Sequence, residues 1–272
     1  MVNASSPGGW HHAAGYEAYM GRWSRPMAAD YLTWLAAPSG ARWLDVGCGT
    51  GAVSGAVLEL ADPASTVGID PSAGFIRTAS ETVTDHRASF KVGDACSLPF
   101  EAASFDVVVA GLVLNHIPES EGAVIEMARV AMAGGLVGAY VWDYSGEMQL
   151  VRYFWEAVAT SDREAARHDP RAGYLICQPD PLASLFRAFG LDEVQVSSID
   201  LPMRFRDFDD FWRPHTMAGP AAPQRYVAAL SDDRRNALRE KLRELLPMGE
   251  TAKSISSGAP GQFEVLKATG DR

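Results

Sequence analysis

Two side chains in this sequence are placed to move a proton. His116 follows the apolar run Phe105–Leu114, and Asp143 follows the apolar run Leu136–Trp142; if the two runs are neighbouring strands, both groups stand at one sheet edge. An imidazole titrates near neutrality and serves as a general base there, and an acid beside it can orient the ring or the substrate. Three further carboxylates sit in or at the ends of short apolar runs: Asp45 within Trp43–Val46, Asp70 after Ser65–Ile69, and Asp94 after Ala88–Gly93. Asp45 leads directly into Gly47-Cys48-Gly49-Thr50-Gly51. Glycine alone tolerates positive φ freely, and backbone without Cβ lets a ligand lie against it. An acid closing the second strand can accept hydrogen bonds from both hydroxyls of a sugar. The pattern is that of a sugar-bearing cofactor held next to a group that takes protons.

The elements that position these residues follow from periodicity. Val53, Val57 and Leu60 repeat at helical spacing after the glycines, so a strand passes through the glycine loop into a helix. Pro71 and Ser72 open a second helix with Phe75, Ile76, Ala79 and Val83 on one face; Phe75 or Ile76 packs on an adenine ring or in the core. The run Phe105–Leu114 has no polar alternation, as a central parallel strand covered on both faces requires. A helix from Glu119 to Met132, the pair Gly134-Gly135 and a fifth strand Leu136–Trp142 follow, with weaker strand segments at Leu191–Ile199 and Gln262–Thr269.

The glycine spacing separates two cofactor classes. A dinucleotide fingerprint, G-x-G-x-x-G, places its third glycine inside the helix. Here the spacing is G-x-G-x-G, preceded by an acid in the strand. This resembles the first motif of class I S-adenosylmethionine (SAM) methyltransferases. Gly93-Asp94-Ala95 followed by Leu98-Pro99-Phe100 is similar to the UbiE/Coq5-like, type 11 small-molecule methyltransferases, as is Asn115-His116-Ile117-Pro118-Glu119 at the rim of the transfer pocket. One departure is Met132-Ala133, where that family usually has a basic residue and proline before the two glycines. The resemblance implies SAM as cofactor and S-adenosylhomocysteine (SAH) as product, with Asp45, Gly47, Gly49, Gly51, Asp70, Pro71, Phe75, Asp94, Ala95 and Gly111 around the cofactor. Asp94 then faces the adenine amino group, or it only caps the next turn. The fold implied is α/β: a seven-stranded, doubly wound, Rossmann-like sheet whose last strand is antiparallel, with helical cap additions.

The additions divide the chain into an N-terminal helical lid (1–37), a cofactor-binding core (38–145), a helical addition (146–180), a return to the core (181–201), a helical and aromatic substrate cap (202–258) and a final core strand (259–272). In the lid, the resemblance places Tyr19 and Arg22 to meet the cofactor, or both pack ordinarily. In the additions, Tyr153, Phe154 and Trp155, with Phe205, Phe208, Phe211 and Trp212, line an acceptor or build core. Leu238, Leu242, Leu245 and Leu246 form one face of a cap helix, and Ala218–Pro223 is a turn between helices.

Charge and composition narrow the partners. The 272 residues carry 24 basic against 34 acidic side chains, a formal −10, which disfavours a phosphate backbone as partner. Three scattered cysteines, Cys48, Cys96 and Cys177, suggest neither a disulfide framework nor a metal site. His11-His12 and His168-Asp169 lack further ligands at metal spacing. Without a leader pattern or a long apolar run, the expectation is a cytoplasmic protein with no membrane insertion. Methyl transfer to a small-molecule acceptor, most simply a hydroxyl with His116 as base and Asp143 as orienter, is the expected reaction; N- or C-methylation stays open. So do an NAD(P)-dependent oxidoreductase and a non-catalytic SAM-binding domain, and the oligomeric state is undetermined.

Overall fold

In the computed structural model of the chain, residues 17–144, 148–162, 164, 167, 169–247, 255–256 and 261–270 are described. Six parallel strands and one antiparallel strand form a sheet in the order β3-β2-β1-β4-β5-β9-β6. They are β1 (Arg42–Val46), β2 (Ser65–Asp70), β3 (Ala88–Val92), β4 (Phe105–Gly111), β5 (Ala131–Trp142), β6 (Leu191–Leu201) and β9 (Gly261–Gly270). β9 pairs antiparallel with both β5 and β6. The expected seven-stranded sheet with its last strand reversed is therefore present.

Side chains alternate between two apolar layers. Trp43, Val107, Val109, Tyr140 and Trp142 face one layer, with helices α1 (Arg22–Leu35), α2 (Ala52–Leu60) and α5 (Gln149–Ser161). Leu44, Val46, Val108, Ala110, Val137, Ala139 and Val141 face the other, with α4 (Ser120–Val130) and α6 (Pro179–Ala188). Val107, Val108 and Val109 are all buried, and burying each contributes about 1.5–3 kcal/mol. This explains why β4 reads as an unbroken apolar run. α3 (Ala73–Thr82) packs on β2 and β3. Ser72 caps it, its Oγ accepting from Phe75 N at 3.3 Å, so Pro71 stands just before the cap rather than in the first turn.

Two local differences from the sequence reading have physical causes. The fifth strand begins at Ala131, not Leu136, because the chain passes through Gly134 at φ +73° and the register against β4 shifts between Phe105 and Val107. That is a bulge, which two glycines permit and a periodicity count cannot see. A ribbon of β7 (Arg204–Phe205) and β8 (Ile255–Ser256) also forms beside the sheet.

Helices α7 (Phe208–Thr216), α8 (Ala222–Ala228) and α9 (Asp232–Leu245) pack into the layer on the α1 side of the sheet. α9 buries Leu238 and Leu242 and packs on α5. The aromatic residues of the additions resolve as core. Phe205, Phe208, Phe211, Trp212, Phe154 and Trp155 are buried, with Phe205 edge-on to Trp23 at 5.6 Å and His215 stacked on Phe154 at 5.3 Å. Among the described residues no helix is long and apolar enough to cross a membrane, and no three His, Cys, Asp or Glu side chains gather as for a metal. His11, His12, His168 and Tyr16 lie outside the described residues, as does the side chain of Tyr19.

Candidate active site

A cavity of about 540 Å³ opens at the carboxyl ends of β1, β2, β4 and β5. This is where the strand order reverses and where open α/β sheets hold ligands, and its size suits a small molecule. Asp45, Gly47, Gly49, Asp70, Pro71, Phe75, Asp94, Ala95, Gly111 and His116 all line it. Gly51 stands one residue beyond the lining residue Thr50, and starts α2 at φ +88°.

The glycine loop is shaped by backbone it could not share with side chains. At Gly47 (φ +70°) a Cβ would overlap the Val113 side chain. At Gly49 (φ +54°) a Cβ would meet nothing within 4 Å, because that position faces the cavity. Asp70 fixes the loop's height: its Oδ2 accepts from Gly49 N at 3.1 Å and its Oδ1 from Ser72 N at 2.8 Å. Each oxygen keeps a lone pair for a ligand hydroxyl. Burial nevertheless raises the Asp70 pKa above the ordinary carboxylate range.

Asp45 is more unusual. It is 1% exposed, its Oδ2 accepts from both Ser54 N (3.0 Å) and Ser54 Oγ (2.7 Å), and its Oδ1 has no partner. Burial pushes its pKa up to about 7, against the opposing pull of the Ser54 hydrogen bonds and with a smaller upward push from Asp70. A buried oxygen left without a donor costs about 1–3 kcal/mol. Asp94 lines the cavity while its Oδ1 accepts from Cys96 N at 2.9 Å, so it caps its turn and faces the cavity at once. An open glycine, an unpartnered buried carboxylate oxygen and a sugar-ready acid converge here, and the residues fit SAM.

The proton-handling residues separate. His116 ends a 3₁₀ turn, Leu114–His116, after β4. Its surface is open through the cavity, yet protein surrounds the ring closely enough that burial lowers its pKa below the usual imidazole value. Asp143 follows β5 and is buried, but it is not among the residues that line the cavity. It lies near Cys177, whose pKa is pushed up to about 12 chiefly by burial, with Asp143 adding to it. Arg22 also turns away from the cavity: its guanidinium holds Asp210 of α7 through two hydrogen bonds of 3.1 Å and donates to Arg204 O at 3.2 Å. Trp23 and Phe205 flank it at 4.7 and 4.9 Å.

Sequence reasoning missed Ser24, Thr50 and Tyr140, all of which line the cavity. Thr50 Oγ1 donates to the Glu17 carboxylate at 2.6 Å, fastening the N-terminal turn to the loop. Tyr140 explains Gly111, where a Cβ would stand 2.6 Å from the Tyr140 hydroxyl oxygen. Its position near the carboxyl end of a strand next to β4 was the one available signal.

Comparison with known proteins finds methyltransferases. Residues 44–138 match the Methyltransf_11 family model, described as a methyltransferase domain. The chain is 29% identical over 190 residues to the demethylmenaquinone methyltransferase of Roseiflexus sp. (strain RS-1), spanning 65% of this chain and 79% of that protein. It is 36% identical over 107 residues to a sterol 24-C-methyltransferase of Aspergillus fumigatus, spanning 38% of this chain and 28% of the other. A solved structure of Haemonchus contortus phosphoethanolamine N-methyltransferase 2, in complex with SAM, shares the fold with a TM-score of 0.59 at 19% identity, covering 96% of this chain and 57% of that one.

Proposed function

The chain being a class I SAM-dependent methyltransferase, we propose that it methylates a hydroxyl of a small, largely apolar molecule, with His116 as general base. The observation that carries this reading is the distribution of charge in the cavity. Leu112, Val113, Ile117 and Tyr140 line it around His116, whereas all three lining carboxylates, Asp45, Asp70 and Asp94, belong to the β1, β2 and β3 ends. A cationic amine would find no carboxylate on the β4–β5 side; a neutral hydroxyl with an apolar body needs only a proton acceptor.

In this reading Asp45 Oδ1 receives the ammonium of the methionine part, Asp70 the ribose diol, and Asp94 with Ala95 the adenine edge. When bound, SAM supplies a methyl group already activated on a positively charged sulfur. The acceptor oxygen forms its bond to that carbon as the carbon–sulfur bond breaks, and His116 takes the hydroxyl proton. Leu112, Val113 and Ile117 exclude water.

One observation favours a second reading. The sterol relative is named for methylation at carbon, and a phenol deprotonated by His116 is nucleophilic at its ring carbons as well as at oxygen. The test is incubation with methyl-labelled SAM and a panel of apolar phenols and hydroquinols, with the product's methyl group assigned by carbon NMR. His116→Ala should lower turnover roughly 10²–10⁴-fold, the usual worth of a general base, and leave SAH affinity unchanged. Undiminished turnover would show that alignment alone carries the reaction.

A further inference from the structure

Asn115 and His116 are neighbours on the turn that ends β4. Asn115 Nδ2 lies 3.3 Å from His116 Nε2, and no other hydrogen bond of the His116 side chain occurs among the described residues. Asn115 Oδ1 is buried and has no hydrogen-bond partner. An amide nitrogen only donates, so this orientation requires a bare Nε2 and puts the ring proton on Nδ1. A half-turn of the amide exchanges its two ends: Oδ1 then accepts from Nε2–H, Nδ2 moves to the place Oδ1 held, and Nδ1 carries the lone pair. Each amide orientation thus selects one tautomer, as the partner of one ring nitrogen commonly does for histidine.

We propose that Asn115 is the positioning residue for His116, its Oδ1 accepting the Nε2 proton so that Nδ1 is the nitrogen that receives the acceptor's proton. This rests on the reading of His116 as general base. The chemistry favours the Oδ1-facing orientation at the moment of transfer. Once the ring takes a second proton, the Nε2–H···Oδ1 bond becomes charge-assisted and roughly twice as strong, whereas an amide N–H facing an imidazolium N–H repels it. No carboxylate does this work: Asp143 does not line the cavity, and burial alone, with no charged neighbour, acts on the His116 pKa. The charged groups sharing the cavity are Asp45, Asp70 and Asp94, with Cys48 and Tyr140 the other titratable side chains lining it beside His116.

The test needs no acceptor. The full chain, labelled with ¹⁵N-histidine and saturated with SAH, is titrated by NMR, with the His116 signals assigned by their loss in His116→Gln. The wild type should show the proton on Nε2 and a bare Nδ1. Asn115→Ala should mix the tautomers and lower the His116 pKa, whereas Asn115→Asp, which keeps an acceptor oxygen and adds charge, should raise it by more than one unit while holding the wild-type tautomer. A wild-type ring protonated on Nδ1, or an Asn115→Ala ring that titrates as the wild type does, overturns the proposal. Because no methyl transfer is measured, this result is independent of the acceptor assay. A tautomer held by Asn115 alongside undiminished His116→Ala turnover would sink the general-base reading and leave the positioning contact standing.

Discussion

Asp45 should make cofactor affinity depend on pH. Its carboxyl is buried, one oxygen lacks a donor, and its pKa stands at about 7, so below neutrality the free protein holds a proton there. A ligand ammonium arriving at Oδ1 must expel that proton. For a pKa of about 7, SAH binding should release about 0.9 proton at pH 6 and about 0.1 at pH 8, and affinity should fall roughly 30-fold from pH 8 to pH 5.5, each unit below the pKa being worth about 1.4 kcal/mol. Calorimetry in two buffers of different ionisation enthalpy counts the protons, and titrations across pH give the affinities. Asp45→Asn should flatten the pH dependence and weaken binding at pH 8 by about 1.5–3 kcal/mol, the worth of a hydrogen bond to a charged group. The stability of the ligand-free protein moves the other way: a carboxyl with a raised folded pKa contributes stability below its unfolded value near 3.8 that is lost as pH rises through about 7. Buffer-independent binding heats at pH 6, with affinity flat from pH 5.5 to 8, would refute the assignment of Asp45 to the ammonium.

Other outcomes follow from single features. Gly47→Ala should destabilise the fold, because its Cβ overlaps Val113; Gly49→Ala should cost only about 1 kcal/mol of backbone strain but weaken SAH binding more strongly, and equal effects on melting and binding at both sites would contradict this contrast. His215, buried with its pKa pushed down to about 4 by desolvation, favours the neutral ring in the folded state. Its contribution is full above the unfolded value near 6.5 and is lost as pH falls toward 4, about 3 kcal/mol in all; denaturant titrations of His215→Phe should lack that acid loss. Arg22→Ala breaks the pair with Asp210 and leaves that carboxylate to Arg206 alone, so the melting temperature should drop by several degrees, and hydrogen exchange should rise in α7 and in α1 together. A change confined to α1 would mean that the pair does not join them.

The cofactor half was legible in the sequence because its signals are local. A strand, a glycine loop and a helix occupy neighbouring residues, and Asp70 ends β2 while Asp94 follows β3, strands whose register is set by parallel pairing. The acceptor half was less so. Tyr140 on β5 and Ser24 on α1 reach the cavity from separate elements, and nothing within a sequence window says that they meet. Arg22 was misleading for the same reason: its partner Asp210 lies 188 residues away, and a basic residue beside aromatic ones reads equally as a ligand clamp or as a fastener between helices. The aromatic additions carry the same apolar pattern whether they line a cavity or fill a core, and the burial of Phe154, Phe211 and Trp212 settles them as filling.

The position of β9 between β5 and β6 constrains how the chain can be made. On a ribosome β1 to β5 emerge first, and every strand bordering the cofactor cavity can pair before the rest exists. β6 emerges with no neighbour in the sheet and stays so until β9 follows, after the whole cap has been synthesised. At ~5–20 residues per second that is on the order of 3–14 s, during which β5 and β6 each carry an open edge able to pair with another nascent chain. The same order leaves the cofactor end complete while its neighbour is unfinished, so a bound SAM can hold the early half together during the wait. Chains arrested after residue 247 should accordingly protect β1–β4 from proteolysis when SAM is added, and leave β6 exposed whether it is added or not.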